Sequence, residues 1–439
     1  MANLSVIILA VIVFMVLLLT GHYISTVLFG ASMLGLYILG GNSMSVLSGH
    51  LINDPYVNAA SYTLSTVPMF TLMAQFIMRS GIIRDCYAVV FRASQGKKGS
   101  LGIMTILLGG FLGAVSGSAT ATAASLGQIA VPELRSRGYS EHLSGAVAAC
   151  AGSLSAVIPP SLMLIIYGSI AQVSVGKLFM ATLIPGIIIM GIFAVMTVYF
   201  LTTKKEKELA EGQNVKGVEL EITRGRMIFV VCIGIAIMAI IFVGIYTGTF
   251  TPTESGAIGA FLGLITTFVT RTFNFKVLRD SLVDTVKVTG MSATIILAAS
   301  FFSRFVTRSL MARMLMQSLS FLIERPTLLI IVLGIIYYLL YMFLDGSAVV
   351  LMTVPILLPI LDAAGIDLIW FGIFICTLCT LGSLTPPVGM SVYATSGASG
   401  IGLGKIFHYA FIYATAATIL IVILMLAFPQ IVLWLPGTM

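Results

Sequence analysis

Charge is what this sequence has least of. Asp, Glu, Lys and Arg make up 9% of its 439 residues, against 59% hydrophobic residues and a mean hydropathy of +1.09. So little polar surface cannot coat a water-soluble globule, and the chain reads as an all-α polytopic membrane protein. Histidines His22, His50, His142 and His408 show no ligand spacing, and His142-Leu-Ser-Gly-Ala146 is not the HExxH motif of a zinc hydrolase. The five cysteines, Cys86, Cys150, Cys232, Cys376 and Cys379, lie mostly in apolar segments, where the thiol acts as a small hydrophobe. Cys376-Thr-Leu-Cys379 has CxxC spacing but no polar flank, so helix packing is the expected role. The apolar run at residues 4–19 lacks a basic n-region and a cleavage site, and is read as a mature transmembrane helix. A net charge of +7 would suggest nucleic acid in a soluble protein; here it is read by membrane side, and no nucleic-acid partner is expected.

What is present is a series of apolar spans at residues 4–20, 24–40, 62–78, 143–170, 178–201, 227–246, 252–270, 288–308, 367–395 and 406–430. Polar tips interrupt two further apolar segments: Ser116-Gly117-Ser118 within 99–134 and Asp345-Gly346-Ser347 within 325–362. The two tips recur with matching partners. Gly117-Ser118-Ala119 precedes Pro159-Pro160 by 42 residues, and Gly346-Ser347-Ala348 precedes Pro386-Pro387 by 40. The arm after each tip is read as roughly 13 residues, about 20 Å of helix against a hydrocarbon core of about 30 Å, so both segments are expected to be re-entrant hairpins.

Each half then carries five crossings and one hairpin. The first repeat spans 1–201, with hairpin 99–134 and broken helix 141–170. The second spans 226–439, with hairpin 325–362 and broken helix 367–395, and 202–225 is a solvated linker. An odd number of crossings inverts the second half relative to the first, the pattern of secondary transporters with sites at discontinuous helices. Of the 23 Lys and Arg residues, 18 fall on one side and only Lys177, Arg304, Arg308, Arg313 and Arg325 on or toward the other. The first side is therefore cytoplasmic, and both termini are placed outside.

Backbone groups freed at a buried tip can act as ligands. Carbonyls at Ser116, Gly117 and Ser118 with those released before Pro159-Pro160, and at Asp345, Gly346 and Ser347 with Gly382 to Val388, are candidate cation ligands. Hydroxyls of Ser118, Thr120, Ser155, Ser347 and Thr385 add neutral oxygens. Asp345 is the one acid inside a tip; it is a functional candidate that also suits an N-cap. Sites rich in oxygen and poor in acid favour sodium over protons as the driving ion. Free N–H groups at half-helix N-termini would favour an anionic substrate. Glu254 is expected to serve a helix start with Thr251 or Thr253. Arg304 is a candidate substrate-carboxylate contact as well as a snorkelling residue.

At these motifs the chain resembles the large membrane subunit of tripartite ATP-independent periplasmic (TRAP) transporters. The matching stretches are Gly113-Ala-Val-Ser-Gly-Ser-Ala-Thr-Ala-Thr122, Pro132-Glu133, Gly138-Tyr139, Ile158-Pro-Pro-Ser161, Tyr167-Gly168, Pro185-Gly186, Thr251-Pro-Thr-Glu254, Phe343-Leu-Asp-Gly346, Gly365-Ile-Asp367, Trp370-Phe-Gly372 and Thr385-Pro-Pro-Val-Gly389. The resemblance implies a sodium-driven importer of organic anions, such as C4-dicarboxylates, sialic acids or other sugar and keto acids, in a bacterial inner membrane. It implies an elevator-type transporter in which hairpins and broken helices move against a scaffold. It also implies two partners: a small membrane subunit of about four helices, and a periplasmic substrate-binding protein. Family sodium ligands carry over onto Ser116, Ser118, Ser155 and Ile158 at the first tip, and Asp345, Gly382, Thr385 and Val388 at the second. Candidate substrate contacts are Ser118, Thr120, Ser161 and Ser347, with Arg304 outside the family pattern.

Two other classes are weighed against this. A stand-alone dicarboxylate/sodium symporter would share the architecture but need no binding protein. An intramembrane aspartyl protease would need a second carboxylate facing Asp345, and none is evident.

Overall fold

In the computed structural model, residues 2–60, 62–95, 97–211 and 222–439 are described; residues 212–221 of the expected linker lie outside the described residues. Every regular element among the described residues is helical. Among the described residues, six helices are long and apolar enough to cross a membrane: Val175–Thr202, Arg224–Tyr246, Phe275–Arg308, Pro326–Phe343, Gly346–Ala363 and Leu403–Ala427. A further pair, Thr66–Arg79 and Ile82–Ala93, is bent by 64° at Gly81, whose φ of +74° turns the chain. Leu4, Ile8, Ile12 and Val16 recur at every fourth residue on the exposed face of Ala2–Leu19, an apolar stripe suited to lipid or another helix.

Two boundaries differ from expectation. The span expected at 288–308 begins at Phe275 and runs unbroken for 34 residues. Lys276, Arg279, Asp280, Asp284 and Lys287 conceal its first half from an apolar reading, while the Asn274 side chain caps it by accepting from the Val277 N–H at 2.8 Å. Met44–Ala59, a mixed-polarity helix, was not expected at all.

The helices form two packed groups. In the first, the frame, Pro252–Val269 lies along Thr66–Arg79 and Phe275–Arg308 lies along Ile24–Leu39. Gly256, Gly259 and Gly263 face Phe70, Met73 and Phe76, so close approach replaces the hydrophobic drive that lipid does not supply. A buried hydroxyl pair, Thr66 with Thr253 at 2.7 Å, joins these helices at one end. Ion pairs close the other end: Arg79 with Asp284, and Arg226 with Asp85 at 2.7 Å. Glu254 stands where the sequence places it, in a capping box with Thr251.

The second, inner group holds the interrupted helices. Lys98–Ser116 and Ala119–Ser136 are the two arms of the first hairpin; Pro326–Phe343 and Gly346–Ala363 are those of the second. Both arms after the tips are 18 residues long, about 27 Å of helix, so the expected short arms are not found. Pro132 in one and Pro355 and Pro359 in the other suggest shorter helices, yet the helix continues through each. Exchange between the halves organises the group. Ala119–Ser136 packs on Met390–Ser399, which follows the second break, and Gly346–Ala363 packs on Leu162–Ala171, which follows the first. Gly127 faces the Thr395 carbonyl, where an added Cβ would sit 3.1 Å away. Leu183–Thr202 and Leu403–Ala427 flank this group and pack on each other through Phe193, Phe200 and Tyr413, with Tyr413 also sharing a 2.7 Å hydrogen bond with Thr197.

Candidate functional site

The first tip is built by one residue that turns and one that caps. Lys98–Ser116 ends at Gly117, whose φ of +60° is left-handed and whose N–H donates to the Gly113 carbonyl at 3.0 Å. Ser118 then caps the next helix, its Oγ accepting from the Ala121 N–H at 3.4 Å. The hydroxyls of Ser116 and Thr122 pair at 2.6 Å, and Thr122 also donates to the Ser118 carbonyl at 3.0 Å. The first break lies against this tip: a Cβ at Gly117 would come within 3.0 Å of the Pro160 carbonyl, and one at Gly113 within 2.8 Å of Ser155 Cα. Ser155 and Ser161 keep buried hydroxyls with no hydrogen-bond partner among the described residues. Ile158 ends the turn, donating its N–H to the Leu154 carbonyl at 2.9 Å.

The second tip uses a carboxylate where the first uses a hydroxyl. Asp345 caps Gly346–Ala363, accepting from the Ser347 N–H at 3.0 Å. Gly346 leaves no room for a side chain because Cys379 Sγ occupies the space. In the second break, Thr385 directs both its N–H and its hydroxyl to the Gly382 carbonyl, at 3.0 and 2.6 Å. That carbonyl is thereby occupied, while the Thr385 hydroxyl keeps its lone pairs. The N–H groups of Val388 and Gly389 reach the Met342 carbonyl at 3.3 and 3.4 Å, tying the break to the arm before the tip. Both Pro159-Pro160 and Pro386-Pro387 are cis.

One cavity of about 130 Å³ joins these parts. Ser118, Thr120, Ser161 and Ser347, four of the expected substrate contacts, line it together with Gly117, Asp345 and Gly346. Arg304 does not line it; it lies exposed on Phe275–Arg308 and makes its contacts there. Ser116, Ser155, Ile158, Gly382, Thr385 and Val388 do not line it; they belong to the tips and breaks described above. The cavity also receives four helix N-termini, at Ala119, Leu162, Gly346 and Met390, and these present partial positive charge to whatever it holds. Asp345 is the only charged side chain in its lining. Hydroxyl, carbonyl and carboxylate oxygens are hard donors, the right chemistry for an alkali or alkaline-earth cation and the wrong one for a soft metal.

Sequence reasoning missed the sulfur side of the lining: Met163, Met390 and Cys379. Cys376, one turn from Cys379, donates its thiol to the Ala156 carbonyl at 3.1 Å and so joins the two broken helices. All five cysteines are free, and the CxxC serves packing as expected. Ser383 and Ser391 were discoverable, since they flank Pro386-Pro387; their hydroxyls pair at 3.0 Å beside the cavity.

Residues 11–431 match the family described as the DctM component of the tripartite ATP-independent periplasmic transporter. The chain belongs to this TRAP transporter family. A TRAP transporter large permease protein of Haemophilus influenzae is 30% identical over 396 residues, covering 89% of this chain and 96% of its own. The C4-dicarboxylate TRAP permease DctM of Pseudomonas aeruginosa is 29% identical, covering 80% of each chain. The sialic acid TRAP permease SiaM of Vibrio cholerae is 28% identical over 86% of each. Among solved structures, the YdaH transporter of Alcanivorax borkumensis superposes with a TM-score of 0.69 at 15% identity, covering 88% of this chain and 90% of its own. MtrF of Neisseria gonorrhoeae superposes with a TM-score of 0.66, also at 15% identity, covering 88% of this chain and 84% of its own. The fold is thus that of an all-helical membrane transporter, and the TRAP membership makes this chain a transport protein and not an enzyme.

Proposed function

We propose that this TRAP permease subunit carries organic anions into the cell by sodium symport, across a bacterial inner membrane. The carrying observation is the single cavity where two polar tips and two helix breaks meet, rimmed by four helix N-termini. Helix N-termini and neutral hydroxyls hold a carboxylate without a fixed positive charge, so the anion is bound yet releasable. At the first tip, the carbonyls around Ser116, Gly117 and Ser118 with Ser155 and Ile158 form one sodium site. Asp345, Gly346, Thr385 and Val388 form its counterpart, with the Gly382 carbonyl holding the Thr385 hydroxyl in place. The unpartnered Ser155 hydroxyl supports this reading, because a buried polar group without a partner costs stability unless something binds it.

The two halves form inverted repeats, and the inner group moves as an elevator against the frame. The exchange packing between halves supports movement as one body. The first hairpin's opening and the linker face the cytoplasm and both termini the periplasm, a reading supported by the 18-to-5 distribution of Lys and Arg. Re-entrance of the hairpins rests on the pairing of tips with breaks, since arm length does not distinguish it.

The names of relatives point to C4-dicarboxylates, sialic acid or 2,3-diketo-L-gulonate as the class of cargo. The working transporter includes a small four-helix membrane subunit and a periplasmic binding protein, and the family's tripartite description supports that assembly. The test is uptake into proteoliposomes by this chain with its small subunit, with and without the binding protein. Uptake that needs the binding protein is expected. Uptake unchanged by its omission would favour a stand-alone symporter.

A further inference from the structure

A second cavity, of about 160 Å³, lies between the first tip and the frame and shares Gly117, Ser118 and Leu162 with the central one. Thr71, Ala74, Gln75 and Met78 form its frame wall, a single stripe of Thr66–Arg79 by their spacing of three and four. Two polar side chains on that stripe lack structural employment. Thr71 is 6% exposed, and its hydroxyl has no hydrogen-bond partner among the described residues. Buried threonines elsewhere have partners: Thr105 donates to the Leu101 carbonyl at 2.8 Å, Thr197 to that of Phe193 at 2.8 Å, and Thr66 pairs with Thr253 at 2.7 Å. The side chain of Gln75, half-buried one turn further on, makes no hydrogen bond among the described residues. A glutamine amide and a free hydroxyl in an apolar helix are costly, and helix packing does not explain them.

We propose that Thr71 and Gln75 are a stationary cargo contact on the frame, which receives the anion's carboxylate or hydroxyl oxygens as it passes Ser118. This rests on the carrier reading above. The Thr71 hydroxyl, the Gln75 amide N–H groups and the Ser118 hydroxyl are all neutral donors, so the contact guides a carboxylate without trapping it. Gln75 lies one turn before Arg79, at the basic end of the helix, which places the contact on the cytoplasmic release path.

The test uses the complete membrane complex in inverted vesicles and a membrane-impermeant maleimide. Gln75→Cys is compared with Phe76→Cys, a neighbour only 3% exposed, with wild-type labelling subtracted. Gln75→Cys should react about tenfold faster, as an accessible thiol does over a buried one. With sodium present, succinate, N-acetylneuraminate or 2,3-diketogulonate should slow it while leaving Phe76→Cys unchanged. Equal rates for the two variants, or no protection by any of the three acids, overturn the contact. In proteoliposomes, Gln75→Leu and Thr71→Val should each lower uptake about three- to tenfold, the scale of one lost hydrogen bond. Uptake by both variants at the wild-type rate overturns it as well. If the wild-type complex itself takes up none of the acids, the carrier reading fails separately; labelling still decides the contact, protection upholding it and its lack overturning it.

Discussion

Replacing Gly117 by Ala separates the geometry of the first tip from its chemistry, because no liganding oxygen is removed. Gly117 has φ of +60°, where an L-residue costs about 1–2 kcal/mol. Its new Cβ would also sit 3.0 Å from the Pro160 carbonyl, with backbone on both sides of the contact. The chain can relieve this only by leaving the described tip conformation, so the fraction competent to bind sodium falls and apparent affinity falls with it. At about 1–2 kcal/mol the sodium half-saturation should rise about five- to thirtyfold. The assay is sodium titration of the purified complex, with choline replacing sodium, read as the rise in Tm. Gly248→Ala is the control: its φ is +70° and nothing lies within 4 Å of an added Cβ, so it meets the same dihedral cost in the frame. Sodium affinity unchanged in Gly117→Ala, or reduced equally in Gly248→Ala, refutes the reasoning.

Asp345→Asn should raise the sodium requirement for uptake about tenfold or more, since a carboxylate about 4 Å from a cation contributes about 1–4 kcal/mol in a wet or half-wet site; an unchanged requirement would remove Asp345 from the site. Ser155→Ala should weaken sodium binding while leaving the sodium-free Tm unchanged or higher, because its hydroxyl is buried without a partner. A lower sodium-free Tm would mean the hydroxyl is structural. Gly152→Ala should destabilise the inner group by about 1–3 kcal/mol, because its Cβ would lie 2.5 Å from Ala123 N; a wild-type Tm would contradict this packing against Ala119–Ser136. Glu206, outside the spans in Lys204–Ala210, accepts from Ser140 N–H at 2.8 Å and Ser140 Oγ at 2.7 Å, yet burial raises its carboxyl above the ordinary value of 4.5. A raised folded value means its stabilising contribution is full below pH 4.5, the ordinary value, and is lost as pH climbs from there through the raised folded-state value. Glu206→Gln should therefore flatten the decline of Tm over that window, and an identical decline in both proteins would contradict the assignment.

The paired tips were legible because chemistry interrupts an apolar background there: Gly117-Ser118 and Asp345-Gly346 stand out where apolar residues surround them. Their matched distances to Pro-Pro made them a pair before any coordinates. The cavity's sulfur lining was not legible, since Met163, Met390 and Cys379 look like any apolar filler until the breaks aim them inward. Arm length failed as a guide because Pro132, Pro355 and Pro359 were absorbed within continuous helices. Phe275–Arg308 escaped because its charged first half carries the periodicity of a surface helix. Arg304 looked like a substrate contact from sequence position alone; the structure puts the four hydroxyl candidates on one cavity and leaves Arg304 off its lining.

The central claim is that sodium binding at paired tips drives organic-anion uptake through this chain. Its most direct test is uptake by the reconstituted tripartite complex under an inward sodium gradient at uniform pH, against an inward proton gradient without sodium. Accumulation is expected under the first gradient, little under the second, and a raised sodium requirement in Asp345→Asn. Accumulation that follows the proton gradient and ignores sodium would contradict it.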